Sequence, residues 1–237
     1  MSESTRRIPL GRLAAEFVVI VVGVLVALGA DAWMDERAEL EAEAQFLAEV
    51  HADLGRDSTN LEVPQRRVAT WNRSAADIVK MGEGTIPASD SLALVHLRGL
   101  MTFNLYQPVS SAYEGQRQGL TLVKDAQLRR QIVEYYEVQQ PYMVQFGTLV
   151  MDAHSRLRSI VQRHTGFVLE EETETIWPRP TMRFTTSWSS LWAEPEFRGA
   201  VEYVGAIGGN WEARIPPVMV RIGELRAALA GQLGSQP

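Results

Sequence analysis

The 237-residue chain carries a net charge of −6 and contains no cysteine. The missing thiols exclude disulfides, thiolate metal sites and a cysteine nucleophile. The acidic balance speaks against nucleic acid as a partner, because phosphate binding rests on Lys/Arg clusters.

The first element is the apolar stretch "LAAEFVVIVVGVLVALGADAW", residues 13–33. As a helix it spans roughly 30 Å, the thickness of a bilayer's hydrocarbon core. Two readings stand: a retained anchor, or a cleaved signal whose "ADA" at 30–32 offers small residues for processing. Both give the same orientation. Arg6, Arg7 and Arg12 precede the stretch, whereas Met34 to Leu54 holds seven acids and one Arg. Cationic flanks stay cytoplasmic. The expected plan is a cytoplasmic tail at 1–12, a transmembrane signal-anchor helix at 13–33 and an extracytoplasmic domain at 34–237. That places the body of the protein beyond the membrane that the segment crosses.

Glu16, Gly23, Ala27, Ala30 and Asp31 share an arc of about 100° on this helix, together with Arg12. Gly23 and Ala27 form a small-xxx-small pair of the kind that lets helices approach closely in lipid. Again two readings stand. Glu16 pairs with Arg12 at headgroup depth and Asp31 lies outside the core, or the arc is a helix–helix contact face with a polar mark.

Beyond the anchor the pattern is mainly α, a helical bundle. Leu40, Leu47, Leu54 and Leu61 recur every seven residues. Glu43 and Asp57 are poor partners for a coiled coil, which favours a stripe packed into a bundle. The acids off the stripe read as its solvated face. Pro64 is expected to interrupt the helix. "GEGTIP" at 82–87 is a turn, and Asp90 is a candidate N-cap for the next helix. Ser111 with Glu114 fits a capping box, with Gly119 as the stop. Asp125 caps a longer helix that Pro141 kinks. Residues 165–193 read as an irregular Trp-rich loop with a possible strand pair. Trp177, Trp188 and Trp192 there are expected to pack against the membrane or the bundle. The last helix breaks at Pro216 and Pro217. The glycines of "GAIGGN" at 205–210 allow close helix packing or mark a local break.

"EFVVIVVGVLVALGADAWMDER" resembles the opening of an uncharacterised bacterial family, a domain of unknown function. Its members carry a short basic tail and one hydrophobic helix with an acid, a mid-helix Gly, Asn-x-Trp and a Glu/Arg run. Glu16, Gly23, Trp33 and Asp35–Arg37 match, while Asp31 stands where the family has Asn. "PVSSAYEGQRQGLTLVKDAQLRRQIVEYYE" is similar to a second pattern of that family through Pro108, Tyr113, Glu114, Gly119, Leu120, Leu128, Arg129, Tyr135 and Tyr136. The resemblance implies an architecture and a membrane address, with no activity and no catalytic residues.

No metal, nucleotide or hydrolase motif is found, and no cofactor is expected. The histidines, His51, His96, His154 and His164, read as surface or satisfied bundle residues. Tyr113, Glu114, Arg129, Tyr135 and Tyr136 form the one polar constellation. It lines a ligand cleft, or it is a capping box, a buried Arg–Glu pair and aromatic packing. Three functions follow. The first is a non-enzymatic interaction or scaffold module with a membrane or envelope partner, or a homo-oligomer. The second is a sensory domain acting through a membrane partner, and the third an envelope enzyme.

Overall fold

One helix, α1 (Leu10–Gly82), supplies both the apolar segment and the spine of the bundle. The computed structural model describes residues 10–169 and 180–234, and side chains outside 10–15, 169 and 180. The 73 residues of α1 make a rod of about 110 Å. From Glu16 to Glu39 every side chain is exposed, and burial begins at Glu43. Phe46, Leu47, Val50, Leu54, Leu61, Val68, Trp71 and Ile78 then form a buried stripe at helical spacing.

Pro64 does not interrupt this helix. Proline removes one N–H and crowds the carbonyl four residues back. Here the ring is itself buried in the stripe, between Leu61 and Val68. Packing on both sides outweighs the local loss, since tertiary burial supplies most helical stability.

After a turn in which Gly84 takes a positive φ of 74°, α2 (Asp90–Met101) begins. Its N-cap is Ser89, whose hydroxyl accepts from the Leu92 N–H, in place of Asp90. Asp90 instead accepts from the backbone N–H of Trp188, 2.8 Å away. Two short helices follow, α3 (Ser111–Gly115) and α4 (Gly119–Leu122). Gly119 therefore opens a helix rather than ending one. It sits against Phe46, whose ring would lie 2.6 Å from an added Cβ. Phe46 is fully buried, so Gly119→Ala is expected to cost about 1–3 kcal/mol. Urea unfolding of the detergent-solubilised chain measures this. A loss below about 0.5 kcal/mol would mean that the segment simply shifts aside.

Asp125 caps α5 (Ala126–Glu134), accepting from the N–H groups of Gln127 and Leu128. The helix then widens into a π-turn over Tyr135–Gln139 and continues as α6 (Gln140–Gln162). The Gln140 N–H reaches back five residues to the Tyr135 carbonyl. Pro141, which lacks an N–H, comes next, so this insertion takes the place of a simple proline kink.

The described parts of 165–193 are more regular than a loop. Strand β1 (Thr165–Leu169) pairs antiparallel with β2 (Pro180–Phe184), Phe167 opposite Met182, and α7 spans Trp188–Ala193. Trp177 lies outside the described residues. Trp188 and Trp192 stack at 5.7 Å, and both meet Phe197 edge-on. Trp192 also covers Gly82, at the end of α1 farthest from the apolar segment. Of the two sites expected for these tryptophans, they occupy the bundle.

The final helix, α8 (Pro195–Gly234), also passes unbroken through its prolines. Pro216 and Pro217 lie on its exposed side, where water can satisfy the carbonyls that lose their donors. α8 runs antiparallel along α1. Gly205 meets Ala75, Gly208 meets Asn72 and Arg226 meets Gly55. A Cβ at Gly208 would fall 2.2 Å from the Asn72 Oδ1, so the glycines of "GAIGGN" serve close helix packing.

Candidate functional site

Two places combine distinctive chemistry with exposure. The first is the apolar half of α1. Glu16, Gly23, Ala27, Ala30 and Asp31 are all exposed, and nothing lies within 4 Å of a Cβ placed on Gly23. The arc is thus intact on a regular helix, and the rest of the described chain leaves it uncovered. The segment has mean hydropathy 2.3 and is unburied, and among the described residues it is the one helix long and apolar enough to cross a membrane. The Arg12 side chain lies outside the described residues.

The second place is where α3, the π-turn and α1 meet. Its foundation is a set of buried acids on α1: Glu43 and Asp57, at the positions that partner the leucine repeat, and Asp53, where a solvated face is expected. Asp57 is fully buried and accepts from the Val109 N–H at 2.8 Å, the Tyr135 hydroxyl at 2.5 Å and the Gln140 amide at 2.7 Å. Asp53 accepts from the Ala112 N–H at 2.7 Å, the Ser111 hydroxyl and the Arg56 guanidinium. Glu43 accepts from the Lys124 N–H at 3.0 Å. The segment 102–125 is short of regular structure, so its backbone donors need partners. The three carboxylates supply them. A buried acid that accepts several hydrogen bonds recovers much of its desolvation cost.

The sequence-chosen constellation divides on this foundation. Tyr113 and Tyr136 stack face to face at 4.6 Å, and Tyr135 meets Tyr136 edge-on at 5.1 Å. Tyr113 donates to Glu137 at 2.8 Å. Glu114 accepts from the Ser110 hydroxyl at 2.7 Å, while Ser111 turns to Asp53, so the expected Ser111–Glu114 box is replaced. Arg129 stands apart. It is half-buried and donates to the Val123 carbonyl at 3.3 Å, with no Glu as partner. Asp53, Asp57, Glu137 and Gln140 were missed. Glu43 and Asp57, seven residues either side of buried Val50, carried the signal in their spacing.

Tyr113, Glu114, Tyr136 and Glu137 border an open cleft of about 440 Å³ between α3 and α6. Tyr135 lies behind its wall. Burial raises the phenol pKa of Tyr135 and Tyr136, and nearby Asp57 adds to both. The Tyr113 phenol is pushed up to about 12 by burial and by its bond to Glu137. These hydroxyls are therefore donors at physiological pH. The Tyr136 hydroxyl, on a side chain only 4% exposed, has no hydrogen-bond partner.

The histidines go separate ways. His164 bridges Thr186 at 3.0 Å and Glu194 at 2.7 Å, and Glu194 also takes Arg163. His164 and Arg163 hold the Glu194 carboxyl below its usual range. His154 is buried between Trp71 and Phe103. Among the described residues no three His, Asp or Glu side chains are placed to hold a metal ion. No family model, curated protein or solved structure matches this chain.

Proposed function

We propose that this is a single-pass bacterial inner-membrane protein that acts as a non-enzymatic interaction module. Residues 13–33 cross the bilayer, residues 1–12 face the cytoplasm and residues 34–237 form the periplasmic bundle. One observation carries the reading: an uncovered apolar segment that continues, without a break, into the longest helix of the core. A cleaved signal has no need of such continuity. The resemblance to a family of anchored envelope proteins points the same way. Charge supports the orientation, through three Arg before the segment and an acidic run after it. The partner is another membrane helix, from an envelope protein or a second copy, meeting the arc of Gly23 and Ala27.

Reporter fusions after residue 60 test the topology. A periplasm-dependent reporter is expected to be active there, and activity of a cytoplasm-only reporter reverses the orientation. For the contact face, Gly23→Leu with Ala27→Leu is expected to lower recovery of a crosslinked membrane partner or self-oligomer at least several-fold. Crosslinking from the native membrane with unchanged yield would sink that assignment.

A further inference from the structure

We infer that the cleft between α3 and the π-turn is a binding site for a small organic cation, an ammonium group on an apolar body. The inference does not depend on the membrane anchor. It begins with charge. Glu114 and Glu137 border the cleft, and the one cation in its lining, Arg117, reaches Glu137 only at 3.8 Å. Behind the wall lies Asp57, fully buried, with no Lys, Arg or His at ion-pair distance among the described residues. Asp53 beside it is matched by Arg56. Among the groups lining the cleft, two carboxylates face one guanidinium, so negative charge is in excess. A concave, partly dry surface concentrates that field.

The walls define the rest of the ligand. Pro108, Pro141 and Val144 join the two stacked tyrosines, so an apolar body would find an apolar surface. A volume of about 440 Å³ lies within the range of small-molecule sites. A second and independent feature is the Tyr136 hydroxyl, buried in the wall with no partner. Such an orphan is costly in a finished core. An ammonium group would take Glu137 as counter-charge, and its N–H would reach the Tyr136 oxygen where the wall gives way, since that atom carries almost no accessible surface. The π-turn presents these groups by placing Tyr136 and Glu137 in consecutive positions of a widened helix, a distortion that recurs at functional sites.

The test is calorimetric titration of the detergent-solubilised full chain with 2-phenylethylammonium, 3-phenylpropanol and 3-phenylpropionate. The cation is expected to bind at least tenfold tighter than the neutral and anionic probes. Glu137→Gln is expected to weaken it about tenfold. Glu114→Gln, at an exposed position, gives a second reading of the same charge should Glu137→Gln unfold. Tyr136→Phe separates a ligand role from a structural one. Removing an orphaned buried hydroxyl should raise the thermal midpoint of the free protein while weakening the cation several-fold. Equal affinity for the three probes, no heat with the cation at millimolar concentration, or unchanged affinity in both glutamate variants would each overturn the inference. So would a Tyr136→Phe protein that binds the cation as tightly as the parent.

Discussion

Asp57→Ala is expected to destabilise the bundle by roughly 3–5 kcal/mol, the scale seen when one partner of a buried polar set is removed. The variant takes the acceptor from the Val109 N–H and the Tyr135 hydroxyl, and one of two acceptors from the Gln140 amide, which keeps the Val109 carbonyl at 3.1 Å. All three converge on a residue with no exposed surface, so water cannot replace the carboxylate without opening the core. Asp53→Ala should cost less, because Arg56 and Ser111 are largely exposed and can turn to solvent. Tyr135→Phe removes only one of the Asp57 bonds and should cost about 1–2 kcal/mol. Urea titration of the three variants in detergent ranks them. An Asp57→Ala loss below about 1 kcal/mol would show that the carboxylate does not organise the 102–125 segment.

Acid should weaken the fold through His154. Its ring is packed at 4.6 Å against Trp71 and 4.9 Å against Phe103. Burial brings its pKa down from 6.5 to about 4, the Leu100 backbone partly opposing and the Arg158 charge adding a smaller push down. Neither ring nitrogen has a hydrogen-bond partner among the described residues, so burial dominates. The folded state therefore keeps His154 neutral while the unfolded chain takes up a proton below pH 6.5. The contribution is fully present above that pH and is lost as pH falls toward 4. Over about 2.5 pH units this amounts to on the order of 3 kcal/mol. Glu194, held below its ordinary 4.5, adds its own loss only at the acid end, so the measurement is a difference. The thermal midpoints of the parent and of His154→Leu are followed from pH 7 to pH 4. The parent should fall faster, and parallel curves would remove His154 as the cause.

The helices were legible because burial follows helical spacing. Leu47, Leu54 and Leu61 are buried as their seven-residue recurrence requires, and Asp125 caps the helix it precedes. The prolines misled. Pro64, Pro216 and Pro217 are local breakers, yet each sits in a helix held by long-range packing, which a local rule does not weigh. The acids misled for a related reason. Charge normally marks a solvated face, and Glu43, Asp53 and Asp57 depart from that only because a distant, irregular segment brings backbone N–H groups to them. At the cleft, the two stacked tyrosines and Glu114 were found, whereas Arg129 was drawn in by sequence proximity and belongs to its own helix start. Glu137 was overlooked because nothing in a sequence announces a π-turn, which rotates every residue beyond it.

The unbroken α1 also sets a phase. Counting about 100° per residue, Glu43 lies about 160° round the helix from Ala27 and about 200° from Gly23. The bundle is therefore fixed to the opposite side of α1 from the small-residue arc. Ala38 and Ala52 return to the arc's side, and both are exposed. A neighbouring helix seated on Gly23 and Ala27 could run on beyond the apolar segment along α1 without meeting the bundle. Two copies joined this way would stand back to back, with their cores and clefts turned outward. A single inserted residue between Trp33 and Glu43 would swing each bundle by about 100°, so the number of residues in that stretch determines which way the bundle faces.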